Sequence, residues 1–108
     1  MQAARQGCLN GTFLAEGAAA ISVRDLGLVY GDGVFDTART FGGRLFRAAE
    51  HVARLYESLA HVRIEPGMSP QDMLAATEEL VARNAAALRP GRGLVGDAAG
   101  HRGTATAG

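Results

Sequence analysis

Residues 29–46 read VYGDGVFDTARTFGGRLF, and this stretch decides the predicted fold. It begins with a glycine–aspartate–glycine triplet, which is typical of a tight, exposed turn because glycine enters positive φ without steric cost. Residues 34–41 are rich in Val, Phe and Thr and predict a strand. Gly42 and Gly43 then predict a two-residue hairpin turn, and residues 44–47 predict the returning strand.

The alternation of side chains along the first strand of this hairpin predicts two different faces. One face carries Phe35, Thr37, Arg39 and Phe41, and the other carries Val34, Asp36, Ala38 and Thr40. A face that holds both phenylalanine and arginine is unusual for a plain hydrophobic core. A half-buried arginine beside aromatic rings usually meets an anion, so the first face is a candidate binding surface.

Local patterns on either side of the hairpin predict two more short strands and two helices. Residues 12–14 and 20–23 are the strand candidates, and the Asn-Gly pair before the first of them signals a turn. Residues 49–62 predict a helix whose apolar face consists of Val52, Leu55, Tyr56, Leu59 and Val62. Ser69 as a cap and Pro70 at the first helical position begin a second helix, with a stripe of Met73, Leu74, Thr77, Leu80 and Val81 and with Asn84 near its end.

These elements together predict an α+β domain. We expect a small antiparallel sheet with the 34–47 hairpin at its centre and two helices on one face. The predicted domain covers residues 1–84. From residue 85 to residue 108 the chain is dominated by Ala, Gly and Arg without strand alternation or a helical stripe, and we expect a low-complexity, disordered tail there.

Composition excludes several classes of function. The chain has 108 residues, 47% of them apolar, which suits one small domain with a core. Its formal net charge of zero argues against nucleic acid or an anionic membrane as a partner. Cys8 is the single cysteine, so no intramolecular disulfide is possible, and no apolar run is long enough for a membrane span. We therefore expect a cytoplasmic protein.

Several spaced motifs resemble one known family. YGDGVFDTAR (residues 30–39), GGRLFR (residues 42–47), EHVARL (residues 50–55) and the pair Ser58-Leu59 follow one another in the order seen in the N-terminal domain of class IV, fold type IV, pyridoxal-phosphate enzymes. This family contains the branched-chain and D-amino acid aminotransferases, the (R)-selective amine transaminases and aminodeoxychorismate lyase. The resemblance covers residues 11–84 and is closest in character to the branched-chain aminotransferases.

The resemblance implies a cofactor, substrates and site residues. Arg54 stands where the family's arginine contacts the phosphate of pyridoxal 5′-phosphate, a contact that suits the planar guanidinium. Tyr30, Phe35, Thr37 and Arg39 match positions that line the family's substrate pocket, for amino acid and 2-oxo acid substrates. Asp36 replaces the glutamate that is commoner at its position, and Thr37 stands where branched-chain enzymes often have glycine. The family also implies a homodimer.

The covalent chemistry of the family is missing from this sequence. All eleven basic residues are arginine, and transamination on pyridoxal phosphate needs a lysine for the Schiff base. No residue is therefore assigned a catalytic role. His51 and His61 are ten residues apart on their helix, too far for a metal site within one or two turns, so no metal is predicted.

Three hypotheses remain open at this point. The first is an N-terminal fragment of a class IV aminotransferase, inactive alone, with a reading-frame change near Asn84 as one origin of the aperiodic tail. The second is a non-catalytic domain that dimerises or binds a phosphate-bearing ligand through Arg54. The third is a fragment of a D-amino acid or (R)-amine transaminase, or of aminodeoxychorismate lyase.

Overall fold

The computed structural model describes residues 5–85 and, for the backbone, residues 95–101. In chain order its elements are β1 (Gln6–Leu9), β2 (Thr12–Ala15), a 3-10 helix (Glu16–Ala18), α1 (Leu26–Val29), β3 (Gly33–Phe41), β4 (Arg44–Leu45), α2 (Ala48–His61), α3 (Pro70–Asn84) and β5 (Val95–His101). The α+β class is confirmed. None of the helices in these ranges combines the length and the apolar character that a membrane crossing requires.

The central hairpin forms where the sequence predicts it. β3 and β4 pair antiparallel, with Thr40 opposite Leu45 and Phe41 opposite Arg44. Gly42 and Gly43 have φ angles of 60° and 78°, which the turn requires at both positions. The returning strand is shorter than expected, since β4 ends at Leu45. β3 lies at the centre of a three-stranded sheet in the order β4-β3-β5.

Both long helices begin and end close to their predicted limits. Ser69 caps α3, because its hydroxyl accepts a hydrogen bond from the backbone N–H of Asp72 at 3.1 Å, and Pro70 occupies the first turn. α2 runs one residue earlier than the periodicity predicts. Val52, Leu55 and Leu59 of its apolar stripe are buried, and Leu55 and Leu59 form the core with Ile64.

The first strand pair differs from the prediction. The sequence predicts no element in the polar segment before Asn10, yet β1 pairs with β2 around Asn10 and Gly11, whose positive φ angles of 52° and 81° suit a tight hairpin. The strand predicted at residues 20–23 is absent. Ile21 and Val23 are exposed there, so this apolar run has no buried face to hold it in a sheet.

The expectation of a disordered tail is wrong for residues 95–101. β5 pairs antiparallel with β3 over seven residue pairs, from Gly33 opposite His101 to Arg39 opposite Val95. Its sequence VGDAAGH has no apolar alternation, and its pairing follows from backbone hydrogen bonds to the free edge of β3 rather than from side-chain pattern. The remaining tail residues, 86–94 and 102–108, lie outside the described residues.

The β1–β2 hairpin is fastened to α3 by one buried side chain. The Asn84 carboxamide oxygen accepts the backbone N–H of Gln6 at 2.8 Å, and its amide nitrogen donates to the backbone oxygens of Gln6 at 3.0 Å and Leu80 at 2.9 Å. One side chain thus satisfies both main-chain groups of Gln6, which lies 78 residues away in the sequence.

We expect Asn84→Ala to lower the free energy of unfolding by about 1–3 kcal/mol, because it leaves the main-chain groups of Gln6 without their partner. Urea denaturation followed by far-UV circular dichroism measures this change. Glu78→Ala, at an exposed position of the same helix, is the control and should change the stability by less than about 0.5 kcal/mol. Equal effects of the two variants would contradict the proposed fastening.

Candidate functional site

The inner face of β3 contains a buried acid. The strand alternates between exposed and buried residues, and this parity directs Asp36, Ala38 and Thr40 toward the interior. Asp36 is only 9% exposed. A buried carboxylate requires compensating donors, and α2 packs against this face and supplies them.

Two residues one turn apart on α2 bind this carboxylate. Arg54 donates from Nε to Asp36 Oδ2 at 2.7 Å and from Nη2 to Asp36 Oδ1 at 3.0 Å, a two-pronged ion pair. His51 Nδ1 lies 2.6 Å from the same Oδ1. The spacing of three residues places His51 and Arg54 on one face of the helix, so both reach the strand.

The contact distances assign the tautomer of His51. An ionised carboxylate only accepts hydrogen bonds, so the 2.6 Å contact requires a proton on Nδ1. With that proton in place, the 3.2 Å approach of Arg54 Nη2 to His51 Nδ1 brings two donors together around one shared acceptor oxygen. Asp36 therefore holds both side chains of α2, and they do not hold each other.

The ion pair changes the acidity of both partners. Hydrogen bonding from Arg54 lowers the pKa of Asp36 below its ordinary value of 3.8, against the opposing effect of burial, and His51 lowers it further. The Asp36 carboxylate in turn raises the pKa of Arg54. Asp36 is thus ionised, and Arg54 cationic, throughout the physiological pH range.

Arg54 retains capacity to bind an anion. Its side chain is 64% exposed, and Asp36 accepts two of the five N–H donors that a guanidinium carries. The remaining donors lie on Nη1 and Nη2, which is the planar pair that matches the oxygens of a phosphate. The residues present therefore fit a phosphate-bearing group at this exposed edge of Arg54.

The outer face of β3 is separate from this ion pair. Phe35, Thr37 and Arg39 share that face, as the alternation predicts, and they are exposed rather than half-buried. Phe35 is 74% exposed, and Tyr30, which ends α1, is 79% exposed. The structure thus brings the three strand residues together on one surface, while Arg54 is anchored on the opposite side of the strand.

The central role of Asp36 and its link to His51 were not predicted from the sequence. The apolar stripe of α2 puts His51 on the polar side of the helix, yet its ring reaches the strand. The signal was present in two places: an acid with the inward parity of β3, and the His-x-x-Arg spacing of α2. Within the part of the chain that the structure describes, no group of three or more His, Cys, Asp and Glu side chains is arranged to hold a metal ion.

Comparison with protein families gives this arrangement its context. Residues 33–105 match the model of the family described as amino-transferase class IV. The chain belongs to this family. The match continues past Asn84 and includes β5, so the loss of periodicity that suggested a reading-frame change is accounted for by a strand made of small residues. The domain limit at residue 84 stays a prediction.

Individual class IV relatives have different substrates in their names. The chain is 40% identical over 76 residues to the protein named "Putative branched-chain-amino-acid aminotransferase" of Methanocaldococcus jannaschii, covering 70% of this chain and 26% of that protein. It is 36% identical over 72 residues to a D-alanine aminotransferase of Bacillus licheniformis, covering 67% of this chain and 25% of that protein. The chain therefore spans about a quarter of the length of these relatives.

A solved class IV structure covers nearly the whole chain. A bacterial-type branched-chain amino acid aminotransferase, from the source abbreviated T.th., is complexed there with N-(5′-phosphopyridoxyl)-L-glutamate; it matches with a TM-score of 0.84 and 29% identity, covering 97% of this chain and 35% of that one. The same enzyme with pyridoxamine 5′-phosphate matches with a TM-score of 0.71 and 32% identity, covering 79% of this chain and 30% of that one. This fold similarity confirms the resemblance to the family's N-terminal domain.

The lowered pKa of Asp36 predicts a defined loss of stability in acid. The unfolded chain binds the proton first, so the ion pair contributes fully above the unfolded pKa of about 3.9 and its contribution is lost as the pH falls through the lower folded pKa. We expect the difference in unfolding free energy between the wild type and Asp36→Asn to be constant above about pH 5 and to shrink below about pH 4.

Carboxyl ¹³C chemical shifts of Asp36 measure the same effect directly. Arg54→Met removes the largest cause of the shift and should move the Asp36 titration midpoint to higher pH than in the wild type. Identical midpoints in the two proteins would contradict the assigned ion pair.

Proposed function

We propose that this chain supplies the cofactor-phosphate contact and one wall of the substrate pocket in a class IV aminotransferase. The complete enzyme would transfer an amino group from an amino acid to a 2-oxo acid. One observation carries the proposal: in a member of this family, a carboxylate-held arginine, Arg54, keeps exposed donors that match a phosphate.

Pyridoxal 5′-phosphate is the cofactor that we propose for this site. Two of the similar solved structures are complexes with phosphopyridoxyl glutamate and with pyridoxamine phosphate, which supports this choice. When bound, the cofactor would supply an electron sink for the chemistry at the amino acid carbon. In this chain Arg54 would bind its phosphate, and Asp36 would remain ionised beneath the guanidinium.

The outer face of β3 is the proposed substrate wall. Arg39 is exposed there beside Phe35 and Thr37, so a cation and an aromatic ring are available for the carboxylate and the side chain of an amino acid. Tyr30 would lie at the edge of the same pocket. We propose a branched-chain amino acid as donor, supported by the relatives named for it, with D-alanine or a related amine as the alternative, supported by the D-alanine aminotransferases.

The absence of lysine from this sequence supports a second candidate function. Without that side chain the polypeptide cannot itself hold the cofactor as a lysine Schiff base. A non-catalytic domain that binds a phosphate-bearing ligand through Arg54, or that forms a homodimer as the family implies, uses the same ion pair without covalent chemistry. Binding without turnover is the result that this candidate predicts.

We expect pyridoxal 5′-phosphate to bind this chain reversibly through Arg54. Arg54→Ala should raise the Kd by about tenfold or more, because a charge-assisted contact to phosphate is lost. Isothermal titration calorimetry at fixed ionic strength measures the change. Arg24→Ala removes the same charge from an exposed position before α1 and should leave the Kd nearly unchanged.

Two outcomes would count against this proposal. Equal weakening by Arg54→Ala and Arg24→Ala would indicate a nonspecific charge effect instead of a phosphate site. A stable side-chain adduct after borohydride is added to the pyridoxal phosphate mixture, detected by mass spectrometry, would contradict the expected non-covalent binding by a lysine-free chain.

A further inference from the structure

The orientation of Arg54 depends on a residue that would not itself touch the phosphate. The Arg54 side chain is 64% exposed, so surrounding atoms do little to restrict its rotamers. Its two hydrogen bonds to Asp36 are the contacts that define the plane of the guanidinium. A flexible arginine loses more conformational freedom on binding a ligand than one already held in place.

Asp36 is well suited to act as a fixed reference. It lies at the centre of β3, between the neighbouring strands β4 and β5, and is buried. His51 binds Oδ1 at 2.6 Å from the side of α2, so the carboxylate itself has little freedom to rotate. The position of the sheet is thereby transmitted through one short side chain to the exposed edge of Arg54.

We propose that Asp36 is a positioning residue, which holds the Arg54 guanidinium so that its remaining N–H donors meet the oxygens of a phosphate monoester. This proposal rests on the proposed function of Arg54 and extends it to a residue on the opposite element. The acceptor pair of Asp36 sets the direction of the donors, and His51 keeps that acceptor pair in place.

The sign of one effect separates positioning from simple electrostatics. Asp36 carries a negative charge close to the proposed anion site, so charge alone predicts that its removal tightens phosphate binding. Positioning predicts the reverse. Asp36→Asn preserves the size of the side chain but replaces one acceptor with an N–H donor group, which faces donors of Arg54 or His51.

The test is a double-mutant cycle on the full chain with inorganic phosphate as the probe. Titration calorimetry at constant ionic strength compares the wild type, Asp36→Asn, Arg54→Ala and the double variant. We expect Asp36→Asn to raise the phosphate Kd by about tenfold, as found when a group that orients a binding side chain is lost. In the Arg54→Ala background the same Asp36→Asn change should have no further effect.

A spectroscopic measurement follows the guanidinium without any ligand. In the wild type, the Arg54 Nε–H resonance should be protected from solvent exchange, because this proton is bonded to Asp36 Oδ2. The protection should disappear in Asp36→Asn and persist in Asp36→Glu, which keeps both acceptor oxygens. Asp36→Glu should also recover phosphate affinity relative to Asp36→Asn, and circular dichroism melting shows whether each variant is folded.

Each result has a distinct meaning. If Arg54→Ala weakens phosphate binding but Asp36→Asn leaves it unchanged or tightens it, the positioning role is overturned and the proposed function of Arg54 stands. If Arg54→Ala has no effect on the Kd, both proposals fail. Should Asp36→Asn not fold, Asp36→Glu decides: a fully folded Asp36→Glu without Nε–H protection would overturn the positioning role.

Discussion

A single buried carboxylate joins the central strand to the helix that packs on it. Asp36 accepts two hydrogen bonds from Arg54 and one from His51, and all three groups lie at the contact between β3 and α2. The aliphatic core beside them is small, with Leu55 and Leu59 as its most buried side chains. A directional ionic contact therefore complements a limited hydrophobic contact, and it gives the two elements one relative orientation.

The period of two residues in β3 divides this region into surfaces with different roles. Inward residues supply the carboxylate and small side chains against α2, and outward residues present Phe35, Thr37 and Arg39 to solvent. A shift of the strand by one residue would exchange the two sets completely. The hairpin turn at Gly42 and Gly43 and the pairing with β5 both oppose such a shift.

Features governed by local chemistry were predictable from the sequence, and features governed by distant contacts were not. The glycine turn, the Ser69 cap and the apolar stripe of α2 each depend on neighbouring residues, and the structure contains all three. β5 carries no side-chain pattern, since its formation depends on the open edge of β3. The run at residues 20–23 has strand-like composition but no partner. Asp36 could be assigned an inward parity from sequence, whereas its partners required the position of α2.

The fastening of the first hairpin by Asn84 bears on how this chain tolerates sequence change. Asn84 contacts only the main-chain N–H and C=O of Gln6, and every residue except proline carries both groups. The side chain of Gln6 reaches only the exposed Arg83. Evolutionary drift at position 6 is therefore nearly unconstrained by this contact, while position 84 must keep a carboxamide. Variation among related sequences should be distributed unequally between the two ends of the same hydrogen bonds.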